Sequence, residues 1–362
     1  MAASPHSLSR VATLLEAKAL RFVFNHFESR PPTSKPSLEH IVHTSHGPTR
    51  ILIFFPQGYS KDCPVPYPVH LDFHGGGFIF GYPEHDSLAC RLISDHTSCV
   101  VVTVDYLKAP ENPFPQGLEQ CFDVLMWLSS SDDNGGVRML NIDPERVSVG
   151  GFSAGANLAA AICLMAVQRQ KQRVNVDSGN SDSTPSSSTT SAHTSAPQLR
   201  IIKQLLCYPV LDLATPYAQK LARTKEPTKS IPQGLVDLYV HCYLPVEEDR
   251  SNPLASPYYA KLDDLRNLPP AVILTADWDA MADEADTYAQ RLESAGVSVC
   301  HKRFEKTVHG WTHFAQGKQE PKQEAWRTLC DNLREAYEGI RGVIAGSSWE
   351  VTQPWMGTSQ LI

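Results

Sequence analysis

From Pro68 onward the chain alternates apolar, β-rich runs with helix-like stretches, and this rhythm constrains its fold more than any other feature. The strand-like runs are VHLDF leading into HGGG, CVVVTVDY, RVSVGGF, IIKQLLCYPVLD, AVILTAD and VSVCHKRF. Helical stretches are predicted at Leu118 to Leu128, Ala154 to Val167, Asp283 to Ala295 and Gln323 to Tyr337. Strands covered by helices on both faces are apolar throughout, so the pattern predicts an α/β chain with a mostly parallel central sheet flanked by helices. In such sheets the chemistry collects at the carboxyl ends of the strands.

The flanking segments follow other patterns. Leu8, Val11, Leu14, Leu15, Val23, Phe24 and Phe27 recur at helical steps, and Arg30-Pro31-Pro32 ends that helix. Two short strands are expected around Ile41 and from Arg50 to Phe55, separated by His46-Gly47-Pro48. Between Asp212 and Pro257 the rhythm lapses into proline-broken helical pieces, which we assign with the first helix to a lid. Residues 171–198, rich in Ser and Thr, cannot bury enough apolar surface to offset ordering and read as a solvated loop. The expected organisation is residues 1–47 as an N-terminal cap helix and lead-in, and 48–211 as the first part of the core, with a flexible insertion at 171–198. A second cap segment at 212–257, the second part of the core at 258–342 and a tail at 343–362 complete it.

With 32 basic and 39 acidic residues among 362, the net charge of -7 offers no footprint for nucleic acid or an anionic membrane. A small-molecule partner is the default, and a homodimer is left open. Glu16, Lys18, Arg21 and Asn25 interrupt the apolar run from Val11 to Phe27, so neither a secretory signal nor stable membrane insertion is expected. The nine cysteines are scattered without a CxxC pair, which favours reduced thiols and a cytoplasmic protein.

Gly151-Phe152-Ser153-Ala154-Gly155 joins the strand RVSVG to the helix ANLAAAICLMAV. This is the setting of a nucleophile elbow, in which a tight strand-to-helix turn lifts Ser153 clear of its neighbours. Upstream, His74-Gly75-Gly76-Gly77-Phe78 ends another strand, and amides from Gly75, Gly76 and Gly77 together with that of Ala154 could form an oxyanion hole. A serine nucleophile needs a base, and the base needs an orienting acid. Asp279 follows the strand AVILTAD, with Asp277, Asp283 and Glu284 as competitors; His309 follows VSVCHKRFEK, with His313 as its competitor. The order Ser153, Asp279, His309 is the chain order of α/β-hydrolases. His70, Asp72 and His74 alternate along one strand as a metal-site candidate, but no further ligand cluster completes a coordination shell, and a metal is set aside.

On these residues the chain resembles the hormone-sensitive-lipase family of carboxylesterases over about residues 68–316. The segments that carry the resemblance are HGGGF, DYLKAPENPFP, GFSAGANLA, CYPVLD, the stretch from ASPYYAKL through DWDAMADE to LESAG, and VHGW. The resemblance implies an α/β-hydrolase fold with a helical cap, a Ser-Asp-His hydrolase without a dissociable cofactor, and small short- to medium-chain acyl esters as substrates. DWDAMADE aligns with the family's acid followed by its Asp-Glu pair, which selects Asp279 over Asp283, and His309 matches the histidine of the His-Gly step. Phe152 stands where the family often has Asp, Ala156 where Gly is frequent, and Tyr106-Leu107-Lys108 where Tyr-Arg-Leu is usual. Phe78, Phe80 and Phe152 are the candidate apolar pocket walls. Acyl transfer, product release or cyclisation in a biosynthetic pathway would use the same triad. A non-catalytic receptor of the same fold is disfavoured because His309 is present.

Overall fold

The computed structural model describes residues 13–23, 33–179, 199–313 and 319–339. Its centre is an eight-stranded sheet: β1 (Leu38–Thr44), β2 (Gly47–Phe54), β3 (Tyr67–Phe73), β4 (Val100–Val104), β5 (Ile142–Phe152), β6 (Ile201–Cys207), β7 (Ala271–Ala276) and β8 (Val299–Phe304). The spatial order is β1-β2-β4-β3-β5-β6-β7-β8. β1 and β2, the two short strands expected there, pair antiparallel as a hairpin, and β2 meets β4 antiparallel. Every pairing from β4 through β8 is parallel. The fold is that of an α/β-hydrolase.

Around the sheet lie α1 (residues 13–23), α2 (Ser87–Thr97), α3 (Gln116–Leu128), α4 (Gly136–Leu140), α5 (Ala154–Gly179), α6 (Tyr217–Leu221), α7 (Gln233–Tyr243), α8 (Leu262–Leu265), α9 (Ala282–Ser294) and α10 (Gln319–Gly339). Because side chains alternate across a strand, the two faces of the sheet build separate cores. Leu71, Phe73, Val102, Val149 and Ile273 pack with α3, α5 and α9, whereas Phe54, Val101, Val272 and Leu274 pack with α2 and α10.

Two expectations change. The helix after Ser153 runs on to Gly179, so the first residues of the expected 171–198 loop are helical. There Lys171 donates to a carboxylate oxygen of Asp264, 2.8 Å away at the end of α8. A helix that the apolar pattern did not announce, α2, follows the glycine run. The remainder of the insertion, the ends of the expected first helix and the tail from 343 lie outside the described residues.

Candidate active site

Ser153 occupies the turn between β5 and α5 with φ of 56°, a left-handed conformation that non-glycine residues rarely take outside constrained sites. Its N–H donates to the Cys207 carbonyl at 2.9 Å, tying the turn to the end of β6. The turn also abuts the end of β3. A Cβ on Gly151 would lie 2.4 Å from the Phe73 carbonyl oxygen, which is why a side chain is excluded there.

Asp279 lies in the turn after β7. Its carboxylate is buried and accepts the Met281 N–H on Oδ1 at 3.1 Å, which leaves Oδ2 facing His309. His309 sits in the loop after β8, with Nδ1 2.7 Å from Asp279 Oδ2 and Nε2 2.7 Å from Ser153 Oγ. The structure thus brings together Ser153, Asp279 and His309, and the competing groups go elsewhere. Asp277 pairs with Lys225 at 2.6 Å, and that hydrogen bond holds its carboxyl below the usual carboxylate range. Asp283 pairs with Arg303. Glu284 accepts the backbone N–H groups of Leu211 and Asp212 and pairs with Lys220. His313 bonds to Tyr208.

The glycine run reaches the same point. A Cβ on Gly75 would lie 3.6 Å from that of Ser153. Gly76 takes φ of 124° and folds so closely over Phe80 that a Cβ would meet the Phe80 carbonyl oxygen at 2.2 Å. Gly77, at φ 56°, lies under the Tyr239 ring of α7, whose atoms would be 2.8 Å from an added Cβ. Ala154 opens α5, so its N–H has no acceptor within the helix.

The three phenylalanines expected at the pocket take different positions. Phe78 is buried and stacked on Tyr243, ring centroids 3.8 Å apart, and Phe80 is buried with it in the α3 and α5 core. Phe152 points to the opposite face of the sheet, among Tyr208, His313 and Trp326. None of the three lines the cavity of about 420 Å³ formed by Val210, Leu213, Tyr217, Val236, Val240 and Met281, with Lys220 and Arg250 among its polar walls. That cavity borders the acid through Met281. Helix α7 turns Val236 and Val240 to the cavity and Tyr239 to Gly77.

His70, Asp72 and His74 have separate partners. His70 Nδ1 is 2.7 Å from Ser148 Oγ, Asp72 accepts from Cys90 Sγ, and His74 Nδ1 is 2.7 Å from the Gly75 carbonyl oxygen while its ring stacks on Tyr106. Burial lowers both imidazoles, His70 to about 3, which favours the neutral forms.

Three residues around the site escaped the sequence reading. Tyr239 carries no motif of its own, and Met281 entered only as one letter of DWDAMADE, with no role assigned. Arg21 figured only as an interruption of an apolar run, yet its guanidinium reaches from α1 to the carbonyl oxygens of Ile79 and Ala109 at 2.6 and 2.7 Å.

Residues 70–313 match the model of a family described by its alpha/beta hydrolase fold. An arylesterase of Saccharolobus solfataricus is 32% identical over 243 residues, covering 67% of each chain. The carboxylesterase NlhH of Mycobacterium tuberculosis is 30% identical over 252 residues, covering 68% of this chain and 67% of its own. Among solved structures, the thermophilic carboxylesterase EstE1 from a metagenomic library superposes with a TM-score of 0.66 at 27% identity, over 92% of this chain and 98% of its own. The chain belongs to the α/β-hydrolase family, in the hormone-sensitive-lipase-like group that its motifs resemble.

Proposed function

We propose that this protein is a serine carboxylesterase that hydrolyses short- to medium-chain acyl esters of small molecules through an acyl-enzyme. The observation that carries the reading is the pair of 2.7 Å contacts linking Ser153 Oγ to His309 Nε2 and His309 Nδ1 to Asp279 Oδ2. Ser153 Oγ attacks the ester carbonyl carbon as its proton passes to His309 Nε2, while Asp279 holds the Nδ1 proton and so fixes the tautomer. The oxyanion faces amides of the Gly75, Gly76 and Gly77 run and of Ala154, each typically worth about 2.7–4 kcal/mol in such a site. Collapse expels the alcohol, which takes the proton from His309. Water then attacks the acyl carbon with His309 again as base. The printed names of the arylesterase and carboxylesterase relatives support ester cleavage. All nine cysteines are unpaired, which supports a reducing, cytoplasmic setting.

The test is a panel of p-nitrophenyl esters from acetate to long-chain acyl groups, run on the full chain and its Ser153→Ala variant. The reading expects turnover on the shorter esters that disappears in the variant. Undiminished hydrolysis by a folded Ser153→Ala protein would overturn it.

A further inference from the structure

We propose that His313 is a positioning residue for the Ser153 and His309 pair, acting through Phe152 on one side and Tyr208 on the other; this rests on the catalytic reading above. His313 lies four residues beyond His309, and its N–H donates to the Gly310 carbonyl at 2.9 Å just after Trp311 N–H closes onto Val308 at 3.2 Å. His309 therefore lies inside the first of two overlapping turns, and the side chain of His313 fastens the far end of the second. Its Nδ1 is 2.9 Å from the Tyr208 hydroxyl and 2.9 Å from Thr312 Oγ1. Nε2 is 3.1 Å from Asp86 Oδ1 but off the line of a full hydrogen bond.

The two neighbours of this imidazole each touch one member of the pair. Phe152, which immediately precedes Ser153, meets the His313 ring edge-on with centroids 4.3 Å apart. Tyr208 lies edge-on to the His309 ring at 4.9 Å, and it follows Cys207, whose carbonyl holds the Ser153 N–H. One largely buried side chain thus spans the gap between the elbow and the base loop. Burial holds its pKa down to about 4, so near neutral pH it serves as an uncharged tether. A shift of about 1 Å between nucleophile and base can cost on the order of a hundredfold in rate, which gives this tether kinetic weight.

The test compares His313→Phe, which keeps a ring against Phe152 but loses both polar contacts, with His313→Asn, which keeps a polar atom near the Tyr208 hydroxyl. Tyr208→Phe removes that hydroxyl alone and serves as the second probe should His313→Phe fail to fold. Each is assayed with p-nitrophenyl butyrate well below its melting transition, beside Ser153→Ala and with the rate of fluorophosphonate labelling. We expect kcat and the labelling rate to fall about 10- to 100-fold in His313→Phe and in Tyr208→Phe, with KM within about twofold, and His313→Asn to recover most of the loss. A folded His313→Phe or Tyr208→Phe with unchanged kcat, a change confined to KM, or a His313→Asn as slow as His313→Phe overturns the proposal. If Ser153→Ala keeps its hydrolysis, the catalytic reading itself has failed, and the positioning role falls with it.

Discussion

Gly155 lies so close to the end of β3 that a Cβ on it would sit 1.8 Å from the carbonyl oxygen of Phe73. Both atoms belong to rigid elements, one at the start of α5 and the other at the lip of the glycine run, so no rotamer change relieves the overlap. Gly155→Ala should therefore destabilise by at least about 3 kcal/mol, seen as insoluble protein or a large drop in the urea midpoint. Gly234→Ala is the control, because nothing lies within 4 Å of its added Cβ. Equal midpoints for the two variants would contradict the close-approach argument.

Arg21 fastens α1 to the segment that follows the glycine run. Besides the carbonyls of Ile79 and Ala109 it pairs with Glu111 at 2.9 Å, and Ala109 N–H in turn donates to Phe78. Charged hydrogen bonds of this kind are worth about 1.5–3 kcal/mol each. Arg21→Met should speed amide hydrogen exchange in residues 13–23 by about tenfold or more, whereas Glu111→Gln, which spares the carbonyl contacts, should do less. Equal effects would mean that the ion pair rather than the carbonyl contacts holds the helix.

These two positions also show what a sequence can and cannot reveal. The glycines at 75, 76, 77, 151 and 155 were legible because a strand-turn-helix with close backbone approach demands them. The order of Ser153, Asp279 and His309 along the strands was legible for the same topological reason. Spacing could not separate Asp279 from Asp277, Asp283 and Glu284, because what distinguishes them is their partners: Lys225, Arg303 and the amides of Leu211 and Asp212 claim the others. Helix α2 was invisible because its buried face is built of Ser87, Ala89, Cys90, Ser94 and Thr97, with Ile93 as its one large apolar residue. The extension of α5 to Gly179 was missed since its polar sequence carries no apolar stripe. The cavity draws on the segment after β6, on α6, α7 and Met281, segments that no local pattern links.

The pairing of Lys220 with Glu284 anchors the segment after β6 to α9. Both side chains are nearly buried, and burial still pushes the Glu284 carboxyl up despite the neighbouring ammonium. Removing one partner of a buried pair costs about 3–5 kcal/mol, because the other charge is left uncompensated. Lys220→Met should show such a loss. Adding Glu284→Gln, which removes the charge but keeps an oxygen for the Leu211 and Asp212 amides, should return part of it. Strictly additive losses in the double variant, read from urea midpoints, would rule this out.

His70 gives a stability term that depends on pH. Burial places its folded pKa at about 3, against about 6.5 in an unfolded chain. Between those values the unfolded state binds the extra proton, so stability falls as the pH drops from about 6.5 toward 3, by up to about 1.4 kcal/mol per pH unit. His70→Asn loses this dependence although it weakens the contact to Ser148. The gap in urea midpoint between wild type and variant should be narrower at pH 5 than at pH 7.5, and an unchanged gap would contradict the assignment.

The central claim, that the Ser153 hydroxyl is activated by His309 to carry the acyl group, is tested most directly by peptide mass spectrometry of the full chain after reaction with a fluorophosphonate. The account predicts a single adduct on Ser153, formed in step with the loss of esterase activity and much more slowly in His309→Ala. Complete inactivation with Ser153 unmodified, or labelling that proceeds at the same rate without His309, would contradict it.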